Sequence, residues 1–383
     1  MTRVLFVLDS LGLGGAEKEL ITLLAALPTK DLSIDLYLAS ARGELLDDVP
    51  AGVSVFEAAV APRGLIKRLM TAGLLRLNEL LGRPVHPAQL SWRFLSSNYQ
   101  ALREDYDVAI AYSQGFPTFF VATHVNARKK VAWVNTDYRS AGYRPRLDVG
   151  SYEKFDNIVC VSETALKIFE AQHPQTAEKL VMIRSFVDAN EVRSLGGDES
   201  PFGSSVFFNI TTVGRLSQPK GLDILIDAAT HLASSGLRFK WHVVGDGGLR
   251  SWLEAQVVEK GLVDFVVLHG AQSNPFPFMK FCDVYCQPSR FEGFARTVLE
   301  ARAFATPIVV TDFQSARDQI SDGENGLVVE ANGAAVADAL ARLASDPALC
   351  VQLSETSKRM PSDTMHGIEE VLALFQLKRW HAL

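Results

Sequence analysis

The sequence predicts an α/β protein of two doubly wound domains facing across a cleft, with a terminal helix returning to the first. Three observations lead there. Short apolar runs alternate with longer stretches of 3.6-residue period from end to end, the pattern of parallel strand–helix–strand units. The alternation breaks at Ser194-Leu-Gly-Gly-Asp-Glu-Ser-Pro-Phe-Gly-Ser-Ser205 and then restarts. Several runs also end in glycine turns, where sheets of this kind hold ligands.

In chain order, the expected strands of the first half are Val4–Leu8, Ile34–Ala39, Val53–Phe56, Val108–Tyr112, Val131–Asn135, Ile158–Val161 and Leu180–Arg184. Those of the second half are Val206–Val213, Lys240–Gly245, Val266–Gly270, Val284–Gln287, Pro307–Thr311 and Leu327–Val329. The domains are therefore placed at 1–193 and 206–362, with 194–205 as linker. Residues 363–383 form an amphipathic helix expected to pack back on the first domain. One segment departs from the alternation. Arg63 to Arg83 sets leucines at helical spacing among basic residues, and on an acidic chain that suggests either an anionic membrane surface or a solvated basic face.

Composition narrows the class. At 383 residues, with 48% apolar and 21% charged residues, the chain can build large cores. A net charge of −6 argues against general nucleic-acid binding. Cys160, Cys282, Cys286 and Cys350 are too scattered for a disulfide framework and read as reduced thiols. The amino terminus runs straight into a strand without a signal-peptide layout, and no apolar run reaches about 18 residues. The expectation is a cytosolic protein, peripheral at most on the inner face of the plasma membrane.

Chemistry concentrates at strand ends. Pro288-Ser-Arg-Phe-Glu-Gly-Phe-Ala-Arg-Thr-Val-Leu-Glu300 follows a buried strand, sets Glu292 and Glu300 eight residues apart, and places Gly293 between them before a helix start. Free N–H groups and the helix dipole make such a place suited to an anion, while carboxylates accept from sugar hydroxyls. Val213-Gly-Arg-Leu-Ser-Gln-Pro-Lys-Gly221 ends another strand with Arg215 and Lys220, two cations able to neutralise a diphosphate. Gly245-Asp-Gly247 adds a glycine wall. Gly12, Gly14 and Gly15 end the first strand without a Gly-Lys-Ser/Thr signature. No acid stands near Ala39-Ser40 to hold a ribose, which argues against a dinucleotide cofactor. Asp105-Tyr-Asp107 could hold a divalent metal by pattern, yet it precedes its strand and reads as a solvated turn; no metal is expected.

Taken together these residues resemble the retaining, nucleotide-sugar-dependent glycosyltransferases of family 4, the group 1 transferases. The resemblance rests on Gly14-Gly15-Ala-Glu17, Val161-Ser162, Val213-Gly-Arg-Leu with Lys220-Gly221, and Gly245-Asp-Gly247. It continues through the Glu292–Glu300 block, Pro307-Ile-Val-Val-Thr-Asp312 and Asp322-Gly-Glu-Asn-Gly326. It implies a GT-B fold of two Rossmann-like domains, the first binding acceptor and the second donor. It further implies that Arg215 and Lys220, with Gly214 and Gly245 beside them, bind the donor diphosphate. Glu300 would bind the ribose, Glu292 would lie by the sugar, and backbone of Gly293, Phe294 and Ala295 would touch it. Amides near Thr297 and Val298 would meet the phosphates, and Gly14 and Gly15 would close from the first domain. Two departures stand out. Asn135 occupies the place where many relatives have a histidine lining the sugar, and Phe304-Ala305-Thr306 is bulkier than the usual Ala-x-Gly ahead of the proline.

The function implied is hexosyl transfer from a nucleoside diphosphate sugar to a saccharide or lipid-linked acceptor, in cell-surface polysaccharide or glycolipid assembly, with no cofactor. A nucleotide-sugar epimerase on the same architecture and a non-catalytic nucleotide-sugar-binding protein remain open. A nicotinamide oxidoreductase is disfavoured.

Overall fold

The computed structural model describes residues 1–28, 30–59, 73, 85–204, 206–360 and 364–375. The basic stretch Arg63 to Arg83 lies outside the described residues, apart from Gly73. The chain divides into two compact units, one of Met1–Ser185 with the chain from His366 onward, the other of Phe186–Met365.

In the first unit the strands are β1 (Thr2–Leu8), β2 (Leu32–Leu38), β3 (Val53–Glu57), β4 (Asp105–Ala111), β5 (Asn126–Val134), β6 (Asn157–Cys160) and β7 (Leu180–Met182). They form a sheet of order β3-β2-β1-β4-β5-β6-β7. Each described pairing is parallel, for example Val4 opposite both Ile34 and Val108. Central strands covered on both faces must be apolar, which is why Val4–Leu8 reads Val-Leu-Phe-Val-Leu rather than alternating. Helix Gly367–Phe375 belongs to this unit. Its Ile368, Val371, Leu374 and Phe375 recur at helical spacing and are buried, with the Phe375 ring 6.4 Å from that of Phe6.

The second unit repeats the plan with β8 (Phe208–Val213), β9 (Phe239–Val244), β10 (Val266–Gly270), β11 (Val284–Gln287), β12 (Ile308–Thr311) and β13 (Leu327–Val329), in the order β10-β9-β8-β11-β12-β13. Its sheet is buried on both faces. Leu225, Trp241, Leu253 and Leu340 fill one side, and Met279, Tyr285, Leu299 and Val310 the other. Counted from its own first strand, the first sheet runs 3-2-1-4-5-6-7 and the second 3-2-1-4-5-6. The direction of progression therefore reverses between β1 and β4 and between β8 and β11, the places where such sheets bind ligands.

Three local readings shift. The division falls at Ser185/Phe186, ahead of 194–205, because Val187, Ala189 and Val192 are buried in the second unit's core with Phe276 and Leu299. Asp105-Tyr-Asp107 is not a turn but the start of β4. Asp105 accepts from Asn126 and Asp107 from the Arg3 amide at 2.9 Å, so ladder neighbours take both carboxylates. The strand ends at Ala39, Tyr112, Asn135 and Gly245 belong to the loops beyond the sheets. All four cysteines are free, and burial pushes the Cys282 thiol up to about 12. Among the described residues no helix is long and apolar enough to cross a membrane.

His242 on β9 predicts an acid sensitivity. It lies 3.0 Å from His269 and 3.2 Å from Asn209, which also faces Asp283. Burial, then His269 and Lys240, lower its pKa to about 4 from 6.5. The folded state thus resists a proton that the unfolded chain accepts below about pH 6.5, so the contribution is present above that pH and lost on the way down to 4. Urea midpoints should fall between pH 7 and pH 5, and less steeply in His242→Gln; identical slopes would refute the assignment.

Candidate active site

The site of the second unit is built at the ends of β8 and β11. After Val213 the chain leaves the sheet through Gly214 and Arg215, and Pro219-Lys220-Gly221 leads into helix Leu222–Ser234. After Gln287 it passes through Pro288 to Ala295 and enters helix Arg296–Ala303. The two loops touch, with Arg290 N donating to Pro219 O at 2.7 Å. Gly221, at φ +62°, is required: a Cβ there would fall 1.9 Å from Pro288 O. Gly245 stands equally close to the first loop, since its Cβ would fall 1.9 Å from Gly214 O.

This approach brings Lys220 and Glu292 together although 72 residues separate them. Lys220 Nζ donates to Glu292 Oε1 at 2.7 Å, Ser289 Oγ donates to the same oxygen at 2.7 Å, and Gln287 Nε2 lies 3.3 Å from it. Glu292 Oε2 has no donor among the described contacts. The pair is mostly but not wholly covered, with 21% and 13% side-chain exposure, so a ligand can reach it.

Beneath Glu292 lies a buried scaffold that the sequence reading passed over. Gln287 donates to Ser289 Oγ at 2.8 Å, while its Oε1 accepts from Tyr285 OH at 2.5 Å and Thr297 Oγ1 at 3.2 Å. Ser315 Oγ holds the Glu292 carbonyl at 3.1 Å, and Thr311 Oγ1 holds that of Ser289 at 2.5 Å. The one available signal was a polar residue, Gln287, closing the apolar run Val-Tyr-Cys-Gln at the strand adjoining the reversal.

The other expected donor residues sit around this core. Arg215 is exposed beside Gly214. Glu300 is buried and pairs with Arg296 at 3.0 Å, so its carboxylate is fixed in orientation. At the start of helix Arg296–Ala303, Val298 N already donates to Ala295 O at 2.9 Å. With its amide turned to suit both partners, Gln319 brackets Ala295, accepting from its N–H at 3.0 Å. Thr297 N has no described partner, leaving it an amide available to an incoming anion. Gly293 and Phe294 form the loop between Glu292 and this helix.

In the first unit Gly14 caps helix Gly15–Ala26, and the carboxylate of Glu17 folds back over it. Asn135 follows β5. Its Nδ2 donates to Tyr112 O at 2.6 Å, and its N–H donates to Gln114 Oε1 at 2.9 Å, which leaves Oδ1 with no described donor.

The Phe304-Ala305 departure has a structural consequence. Ala305 holds φ +56°, the left-handed conformation that follows a helix end, where glycine is usual. A branched side chain fits that region poorly, so Ala305→Val should lower stability by about 1–3 kcal/mol; an unchanged melting temperature would contradict this.

Residues 207–360 match the family model described as glycosyl transferases group 1. The chain is 31% identical over 153 residues to the alpha-D-kanosaminyltransferase of Streptomyces kanamyceticus, an alignment taking in 39% of this chain and 40% of that protein. It is 25% identical over 333 residues, 86% of both chains, to a Campylobacter jejuni protein. That relative is named as an N-acetylgalactosamine-N,N'-diacetylbacillosaminyl-diphospho-undecaprenol 4-alpha-N-acetylgalactosaminyltransferase. Among solved structures, Anabaena HepE in complex with UDP superimposes with a TM-score of 0.71 at 19% identity, covering 97% of this chain and 99% of that one. The chain thus shares the fold of two Rossmann-like sheets seen in GT-B proteins, and its residues 207–360 are similar to the group 1 glycosyl transferases.

Proposed function

We propose that this chain transfers a hexosyl group from a nucleoside diphosphate sugar to a saccharide or lipid-linked acceptor, with retention at the anomeric carbon, in cell-surface polysaccharide or glycolipid assembly. The observation that carries the reading is the Lys220–Glu292 pair, held at 2.7 Å where the strand order of the second sheet reverses. Lys220 and Arg215 supply positive charge for a departing diphosphate, and Thr297 N supplies an oriented donor. Preorganised groups of this kind stabilise leaving-group charge without a reorganisation cost. Glu292 Oε2 is positioned to accept from a sugar hydroxyl. Glu300, next in line on the helix, takes the ribose when Arg296 yields one of its oxygens. The first unit, through Asn135 and the Gly14–Gly15 turn, serves the acceptor and the sugar.

The relatives support the acceptor and donor classes. The Campylobacter protein's name specifies a diphospho-undecaprenol-linked saccharide, and HepE was crystallised with UDP. Two cations at the diphosphate make a metal unnecessary in this proposal, so transfer should survive EDTA.

A panel of nucleotide sugars screened by thermal shift, then assayed for acceptor-dependent release of nucleoside diphosphate, tests the reading. An α-linked product from an α-linked donor, read by the anomeric proton coupling, supports retention. Interconversion of the donor sugar without acceptor would indicate an epimerase. Donor binding with no release in the presence of acceptors would indicate a non-catalytic binding protein.

A further inference from the structure

At the far end of helix Arg296–Ala303 the second unit forms a half-open cavity of about 420 Å³, lined by Arg193, Lys280, Arg302, Phe304, Ser357 and Lys358. The eight-residue helix is about 12 Å long, so this cavity is separate from the donor residues at its start.

Four cations from four segments face one space. Arg193 Nε caps the helix by donating to Ala303 O at 2.9 Å and its Nη1 reaches Asn190 at 3.2 Å. Lys280 Nζ donates to Gly197 O and lies 3.5 Å from Asp198, while Lys358 pairs with Glu355 at 2.7 Å. Both carboxylates are on exposed side chains, and such pairs are weak and screened by water. Arg302 is 7% exposed, and burial lowers its pKa below the ordinary arginine value.

A second observation is independent of charge. Ser357 is 2% exposed and its hydroxyl makes no hydrogen bond among the described residues. Helical serines normally bond back to a carbonyl or to water, so an orphaned hydroxyl in a cavity wall calls for a partner. Phosphoryl oxygens would accept from Ser357 and from a guanidinium together, since arginine matches phosphate bidentately. The space exceeds what a lone phosphate fills.

We propose that this cavity is a second anion site, binding a phosphomonoester or diphosphate group carried by a larger molecule. Two sources share that chemistry, a soluble phosphorylated metabolite and the headgroup of an anionic phospholipid.

Titration calorimetry of the full chain with inorganic pyrophosphate is the first arm. The wild type should show two sites. Lys280→Ala/Lys358→Ala should weaken one at least tenfold and leave the other, while Lys220→Ala should weaken the complementary one. Ser357→Ala should weaken the same site as the lysine double variant, yet raise the apo melting temperature by removing an unsatisfied hydroxyl. The second arm is flotation with phosphatidylglycerol/phosphatidylcholine vesicles against phosphatidylcholine alone. Binding to the anionic vesicles, lost in the lysine double variant, identifies a headgroup as the source even where calorimetry shows one site. A single pyrophosphate site combined with vesicle binding that is absent, or unchanged in the double variant, overturns the proposal. Because the two sites respond to different variants, failure here is distinct from failure of the donor assignment.

Discussion

Lys220→Met should lower transfer by about 10²–10³-fold, the scale for removing one preorganised charge stabiliser from a reacting centre. It removes the cation proposed to face the diphosphate and also strips Glu292 of the donor at 2.7 Å. Nucleoside diphosphate affinity should fall with activity, because the proposed function puts the leaving group on the Lys220 side of the site. Glu292→Gln separates the two roles. It keeps a carbonyl oxygen for Ser289 to donate to, so nucleoside diphosphate binding should stay near wild type while transfer drops by a similar factor. Calorimetry with the diphosphate, set beside turnover, tells them apart. If Lys220→Met turned over normally, the diphosphate would have to bind elsewhere, and the functional reading would go with it.

Gln287→Leu should be almost as damaging, through position rather than contact. Leucine has similar volume but no polar atoms, so Tyr285 OH and Thr297 Oγ1 lose their shared acceptor and Ser289 loses its donor. One stranded buried polar group costs about 1–3 kcal/mol, and Glu292, now held by fewer groups, samples more orientations. Misplacement of a catalytic group by about 1 Å can cost 10²-fold. The expected pattern is a lower kcat with nearly constant KM and a lower melting temperature, with partial recovery in Gln287→Asn. A destabilised variant with full kcat would show Gln287 to be structural only.

How much of this was legible beforehand varied with distance along the chain. Strand positions are local: a run such as Val266–Gly270 shows its apolar Val-Val-Leu start within five residues, and the structure has a strand there. The glycine loops after β8 and β11 were equally readable, since turn chemistry involves adjacent residues. Gln287 was not. A glutamine at the end of an apolar strand looks the same whether it meets solvent or a buried tyrosine. The unit division was missed for a related reason: Gly196 and Gly197 announce a break, but Val192 packing in the second core places the preceding helix with that unit. Ala305 hid its left-handed backbone because nothing in Phe-Ala-Thr-Pro demands it.

The sequence by itself determined the alternation of strand and helix, the duplicated α/β plan, and which loops carry cations, carboxylates and glycine. Those properties arise from neighbours a few residues apart. Only the tertiary structure decided the 3-2-1-4 start of each sheet's strand order, the meeting of Lys220 with Glu292, and the gathering of Arg193, Lys280, Arg302 and Lys358 around one cavity. Each of those requires closing a long loop of chain, and that closure is selected by the burial of whole sheet faces rather than by the preference of any single segment.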